Sequence, residues 1–114
     1  MVRPKGPPEL IAAALRLLRH PGQLPAARGL LRHPDAHVRS EAIAAVARLG
    51  DAADIRALAQ LLEDAQWKVR FGAAQALAAS PLLRAGELEA LRAAAASREA
   101  IGVLSHAMAE RGLS

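Results

Sequence analysis

Residues 33 to 37 read His-Pro-Asp-Ala-His, which sets two imidazoles and a carboxylate at alternate positions. Such a trio is the kind of donor set that holds zinc or non-haem iron. Ser40 follows His37 within one helical turn, as a hydroxyl and its base would. Glu87 and Glu89 offer two neighbouring carboxylates, as a general acid and base would. Each group has a structural alternative, and the elements that carry it decide between the two. His33 followed by Pro34 is also how a helix ends, and Asp35 is also how the next one is capped.

The composition favours helix throughout. Hydrophobic residues make up 53% of 114 positions, with no Tyr and a single Phe and Trp. Much of that fraction is Ala and Leu, which lose little freedom in a helix, and β-branched residues are few. The chain is long enough for one core. Without Cys there is no disulfide, no thiolate nucleophile and no Cys-ligated metal. Thirteen Arg against two Lys, with no Asn, suggests a GC-rich genome or a heat-adapted source, of which the genome is the simpler explanation.

An internal repeat organises the chain. Leu31, Val38, Arg39, Ala42, Ala45 and Ala47 fall on Leu62, Val69, Arg70, Ala73, Ala76 and Ala78 at a constant offset of 31. Leu24 and Leu30 fall likewise on Ile55 and Leu61. A weaker third copy places Ala100, Leu104, Ala107 and Met108 at helical spacing. Each unit holds two one-sided helices: Ile55, Leu58, Leu61 and Leu62 form one stripe, and Val69, Ala73, Ala76 and Leu77 the other. The pattern predicts seven helices, near 8–19, 23–32, 36–49, 52–63, 66–79, 85–95 and 98–111. Pro21, Pro34, Gly50 and Pro81 punctuate them, and Asp51 and Asp54 cap the fourth. Helix pairs this short bury their stripes only by stacking on neighbours. A single all-α domain is therefore expected, with a flexible segment 1–7, a capping helix in 8–22 and repeats at 23–50, 51–81 and 82–114.

LEDAQWKVRFGAAQAL, residues 62 to 77, resembles the HEAT repeat, in particular its short phycobilisome-lyase form. LGDAADIRALAQLLED is similar to that family's linking helix, and SREAIGVLSHAMAERG more loosely to its closing helices. The resemblance implies an α-solenoid of helical hairpins in a right-handed superhelical stack. Its second helices would line a concave surface for partner proteins. It also implies that Arg39 pairs with the turn Asp64 of the next unit, with Asp35 as a local alternative. Two departures stand out: His33 replaces the expected Asp, and Ala100-Ile101 replaces the Val-Arg pair.

In this frame the chemistry dissolves. His33 ends a helix, Asp35 caps the next, and His37 sits in its first turn, with no third ligand nearby. LLRHP occurs at both 17–21 and 30–34, each time as a stop. The four His precede Pro, Pro, Val and Ala, so the His-Glu dipeptides of HEAT-type iron hydroxylases are absent. Glu87 and Glu89, two apart on a helix, face different directions. Ser40 and His37 lack an oxyanion hole and a third member, and no phosphate-binding glycine pattern appears. No enzyme activity, metal or cofactor is expected.

A candidate interaction surface remains. Trp67 and Phe71 lie four apart on one helix, and Phe71 points about 200° away from the core residue Val69. Lys68 and Gln75 extend the same sector, and His37, Ser40, Glu41 and Ala44 occupy the matching part of the preceding unit. Phe71 is expected on the concave face, and Trp67 wedged between layers. An exposed Phe invites a partner protein or a second copy. The alternative is nucleic acid, held by Arg16, Arg19, Arg28, Arg32, Arg39 and Lys68; residues 1–39 carry seven basic residues against two acids. A role as an accessory subunit of a lyase follows from the resemblance alone. No apolar run reaches the roughly 20 residues that span a bilayer, so a cytoplasmic protein is expected.

Overall fold

The computed structural model describes residues 7–112, and among these there is no strand. The proposed mobile segment at the N-terminus lies largely outside them, as do the last two residues of the third repeat. The helices are α1 (Pro8–Arg16), α2 (Leu24–Leu30), α3 (Ala36–Leu49), α4 (Ile55–Gln60), α5 (Trp67–Ala79), α6 (Ala85–Ala94) and α7 (Arg98–Glu110). Several are shorter than their apolar pattern. Residues at the ends of α2 and α4 turn more tightly, as 3₁₀ segments Pro21–Gln23, Ala52–Asp54 and Leu61–Glu63. Tightened turns of this kind satisfy end groups where an α-helix cannot continue.

The helices form two rows. In the second row α3 packs on α1, α5 on α3, and α7 on α5, while α2, α4 and α6 form the first row and cover the opposite side of α3, α5 and α7. Stacking four helices at about 8–10 Å spacing accounts for the elongated 50 × 27 × 20 Å body. The core runs along the junction of the rows. Its seam is Leu15, Val46, Leu77 and Met108, all buried and each 31 residues from the last.

Leu15 shows that the repeat begins one unit earlier than its sequence pattern suggests. Ala12 and Ile43 match at the same offset, and both are buried. The helix expected as a separate cap therefore stands in line with α3, α5 and α7 as the second helix of an abbreviated unit. Its stripe was hard to see because Leu10 and Leu17, which blur the one-sided pattern, are exposed.

Gly50 closes α3 by contact. A Cβ there would collide with the Val46 carbonyl and the Asp54 carboxylate. Only glycine lets the chain pass so near both, and Gly50 N–H donates to Val46 O at 2.7 Å.

Candidate functional site

The His-Pro-Asp-Ala-His segment folds as a cap. Asp35 Oδ1 accepts the backbone N–H of His37 at 2.8 Å and of Val38 at 3.1 Å. His33 Nδ1 accepts the N–H of Asp35 at 3.0 Å. Asp35 Oδ1 and His33 Nδ1 are thus engaged by the backbone as capping acceptors. No hydrogen bond joins Ser40 to His37 among the described residues. Glu87 accepts the N–H of Arg84 at 3.0 Å, and Glu89 pairs with Arg92.

The arginines serve mainly as internal ties. Arg39 forms a fork on Asp64, Nε to Oδ2 at 2.9 Å and Nη2 to Oδ1 at 3.0 Å, while its Nη1 donates to the carbonyls of His33 and Pro34. Asp35 is not its partner. Arg28 makes a second fork on Asp54, which is 5% exposed, at 2.6 and 2.9 Å. Arg16 reaches Glu41 at 3.3 Å, and Arg19 Nη1 turns back onto the carbonyls of Arg16 and Leu18. Arg28 and Arg32 lie with the first row, and Lys68 on the second. Among the described residues these cations are divided between the two rows of helices.

The Asp54 carboxyl is held below its ordinary range, first by the hydrogen bonds from Arg28, which outweigh the cost of burial, then by the N–H of Asp51. A carboxyl depressed in the folded state stabilises the fold fully above its unfolded value, near pH 4, and the contribution fades as pH falls through the lower folded value. Thermal melts of wild type and Asp54→Asn should therefore differ clearly at neutral pH and draw together only as pH falls from about 4 through the lower folded value. A gap that ignores pH would contradict the role assigned to this carboxylate.

The open side of the second row carries the aromatic patch. Phe71 is 36% exposed. Trp67 is not wedged between layers: it is 64% exposed and meets Phe71 edge-on, with ring centroids 5.8 Å apart. The reason is its neighbours, because Ala36 on the unit before is too short to cover an indole and Arg98 holds the equivalent place on α7. His106, which the sequence pattern did not suggest, lies 6.4 Å from Phe71, and Gln75 donates to Glu110 at 2.7 Å. The signal for α7 residues was available only through the weak third copy. Beside the aromatics, α3 and α5 enclose a groove of about 460 Å³ lined by Ser40, Glu41, Ala44, Gly72, Gln75 and Ala76, among others. Four of the eight residues expected at the patch border this groove; Phe71, Trp67 and Lys68 lie on α5 outside its lining, with Phe71 turned toward His106 of α7, and half-buried His37 stands on the first turn of α3.

A family model described as HEAT repeats matches residues 5–78. The chain belongs to the HEAT-repeat family. The match begins before α1, in keeping with that helix being part of the repeated array rather than an addition to it. It supports HEAT repeats in general; the phycobilisome-lyase form remains a resemblance of sequence. The third unit lies beyond the match, yet its α6 and α7 continue both rows of the HEAT solenoid. No curated protein and no solved structure matches the chain. HEAT repeats are generally scaffolds for protein interaction. No helix among the described residues is long and apolar enough to cross a membrane.

Proposed function

We propose that this HEAT solenoid is a non-enzymatic interaction module that holds a helix or extended segment of a partner protein along the open face of its second row. The observation that carries the reading is the pairing of Trp67 with Phe71. The chain's only Trp and Phe stand side by side and partly exposed on α5, the helix that also forms one wall of a groove lined largely by small side chains of α3 and α5. Exposing two aromatic rings is unfavourable unless something covers them, and aromatic anchors are the usual energetic centres of protein interfaces. Small side chains on both walls let a partner backbone come close. Ser40, Glu41, Ala44 and Gln75 line the groove, and Lys68 and His37 add polar groups on the same two helices.

Changing Trp67 and Phe71 together to Ala and Ser should weaken partner binding by about 30-fold or more, the scale of losing an interface anchor. Because both rings are partly solvated already, the circular dichroism spectrum and melting temperature should change little. Arg56→Ala, on the exposed first row, serves as a control and should bind as wild type. Equal partner retention by the double variant and wild type would place binding elsewhere. A partner that is a second copy of the chain would appear in the same experiment as self-association lost with the rings.

A further inference from the structure

A second surface lies on the outer face of α1, the first of the described second-row helices. The face made by Leu10, Ala14 and Leu17 of α1 corresponds, at steps of 31, to Glu41, Ala45 and Arg48 on α3, then to Gly72, Ala76 and Ala79 on α5, then to Val103, Ala107 and Glu110 on α7. In every later unit that face looks at the preceding second-row helix. Glu41 pairs with Arg16, and Arg48 donates to the carbonyls of Leu15 and Leu18, all on or just after α1. A side chain at Gly72 would touch Ser40 of α3, and Glu110 accepts from Gln75 of α5. On α1 the same face meets no described residue, and it carries the largest apolar groups of the series. Leu10 is 62% and Leu17 74% exposed.

We infer that this face pairs with α1 of a second copy, antiparallel across a two-fold axis. Three properties of α1 fit that occupant. The spacing of Leu10 and Leu17 places each leucine opposite the other's counterpart when the helices run antiparallel, with Ala13 and Ala14 at the axis, where small side chains permit close approach. Glu9 and Arg16 flank the stripe on the same side at opposite ends, so the antiparallel arrangement sets each Glu9 beside the partner's Arg16, twice, whereas a parallel one sets like beside like. Glu9 makes no ion pair among the described residues, and the Arg16 side chain is 56% exposed despite its contact with Glu41. A two-fold contact of this kind also closes on itself, leaving no leucine uncovered. At the other end of the stack α7 offers one large exposed apolar side chain, Ile101 at 41%, beside Gly102, Ser105 and Ala109, against the two leucines of α1.

A single short helix pair makes a small interface, so the dimer is weak, with a dissociation constant on the order of 100 µM. Sedimentation equilibrium of the intact chain should show monomer at about 10 µM and mostly dimer near 1 mM. Leu10→Glu with Leu17→Glu should abolish self-association and leave helicity unchanged. Since the chain has no cysteine, single-cysteine variants report the register directly. Ala14→Cys should form a disulfide-linked dimer at least tenfold faster than Arg56→Cys on mild oxidation. Leu10→Cys and Leu17→Cys should cross-link to each other when mixed, and each poorly to itself. A chain that stays monomeric up to 1 mM, a dimer that survives the double glutamate variant, or an Ala14→Cys rate no higher than that of Arg56→Cys would overturn the inference.

Discussion

Replacing Leu77 by alanine should destabilise the fold by about 3–4 kcal/mol, the range for truncating a buried leucine whose surroundings relax only in part. Leu77 is fully buried on α5, the helix flanked by both α3 and α7, at the middle of the seam formed with Val46 and Met108. A cavity there loosens contacts to both neighbours at once. For a domain of this size the loss amounts to roughly 10–20 °C in melting temperature, a large share of the stability such domains possess. Leu15→Ala, in the equivalent place on α1, should cost visibly less, because α1 has a packed neighbour on one side only. Denaturant titration of the two variants checks the order. Equal losses would mean that α1 is as firmly held as the central helices.

Removing Asp64 should have an effect of similar size, about 3 kcal/mol for Asp64→Ala. The Arg39 side chain is 15% exposed and that of Asp64 10%, so the fork lies nearly out of water. Without the carboxylate, the guanidinium remains in place with two donors unmatched, and Gln66 loses the side-chain acceptor for its N–H at 2.9 Å. An unpaired charge left in such a place is far costlier than the net worth of the pair. The converse change is available one unit on. Arg70 repeats the arrangement of Arg39, its Nη1 donating to the carbonyls of Asp64 and Ala65, but its buried Nε has no partner. The place of the missing acid, 31 residues after Asp64, is Ala95. Backbone angles agree closely, φ −60 and ψ 148 at Asp64 against φ −64 and ψ 138 at Ala95. Ala95→Asp should therefore stabilise the chain by about 1 kcal/mol through a charge-assisted hydrogen bond. Combined with Arg70→Ala, that gain should disappear, which a double-mutant cycle would measure.

What could be read beforehand was whatever repeats. Val38, Val69 and Ala100, and Leu31 with Leu62, mark the same places in successive units, and apolar spacing turns such marks into helices and a packing direction. The Arg39–Asp64 tie was legible for the same reason, as part of a family pattern. The Arg28–Asp54 tie was not: the counterparts are Ala59 for Arg28 and Gln23 for Asp54, so no copy exists to reveal it. The exposure of Trp67 escaped notice because large apolar residues in a helix are usually covered, and only the short Ala36 and the polar Arg98 on either side explain why this one is not. Of the candidate site, the α5 residues followed from one helix's geometry. His106 and Glu110 depended on how α7 docks, which a degenerate repeat does not announce.

The location of the partner surface is tested most directly by site-specific photocrosslinking. A photoreactive side chain introduced at Gln75, inside the groove, and separately at Arg56, on the first row, samples the two opposite rows. The result expected is one partner adduct at position 75, competed away by unlabelled wild-type chain and absent when Trp67 and Phe71 are replaced. Adducts formed at position 56 instead, or formed equally at 75 without the two rings, would contradict a binding face on the second row.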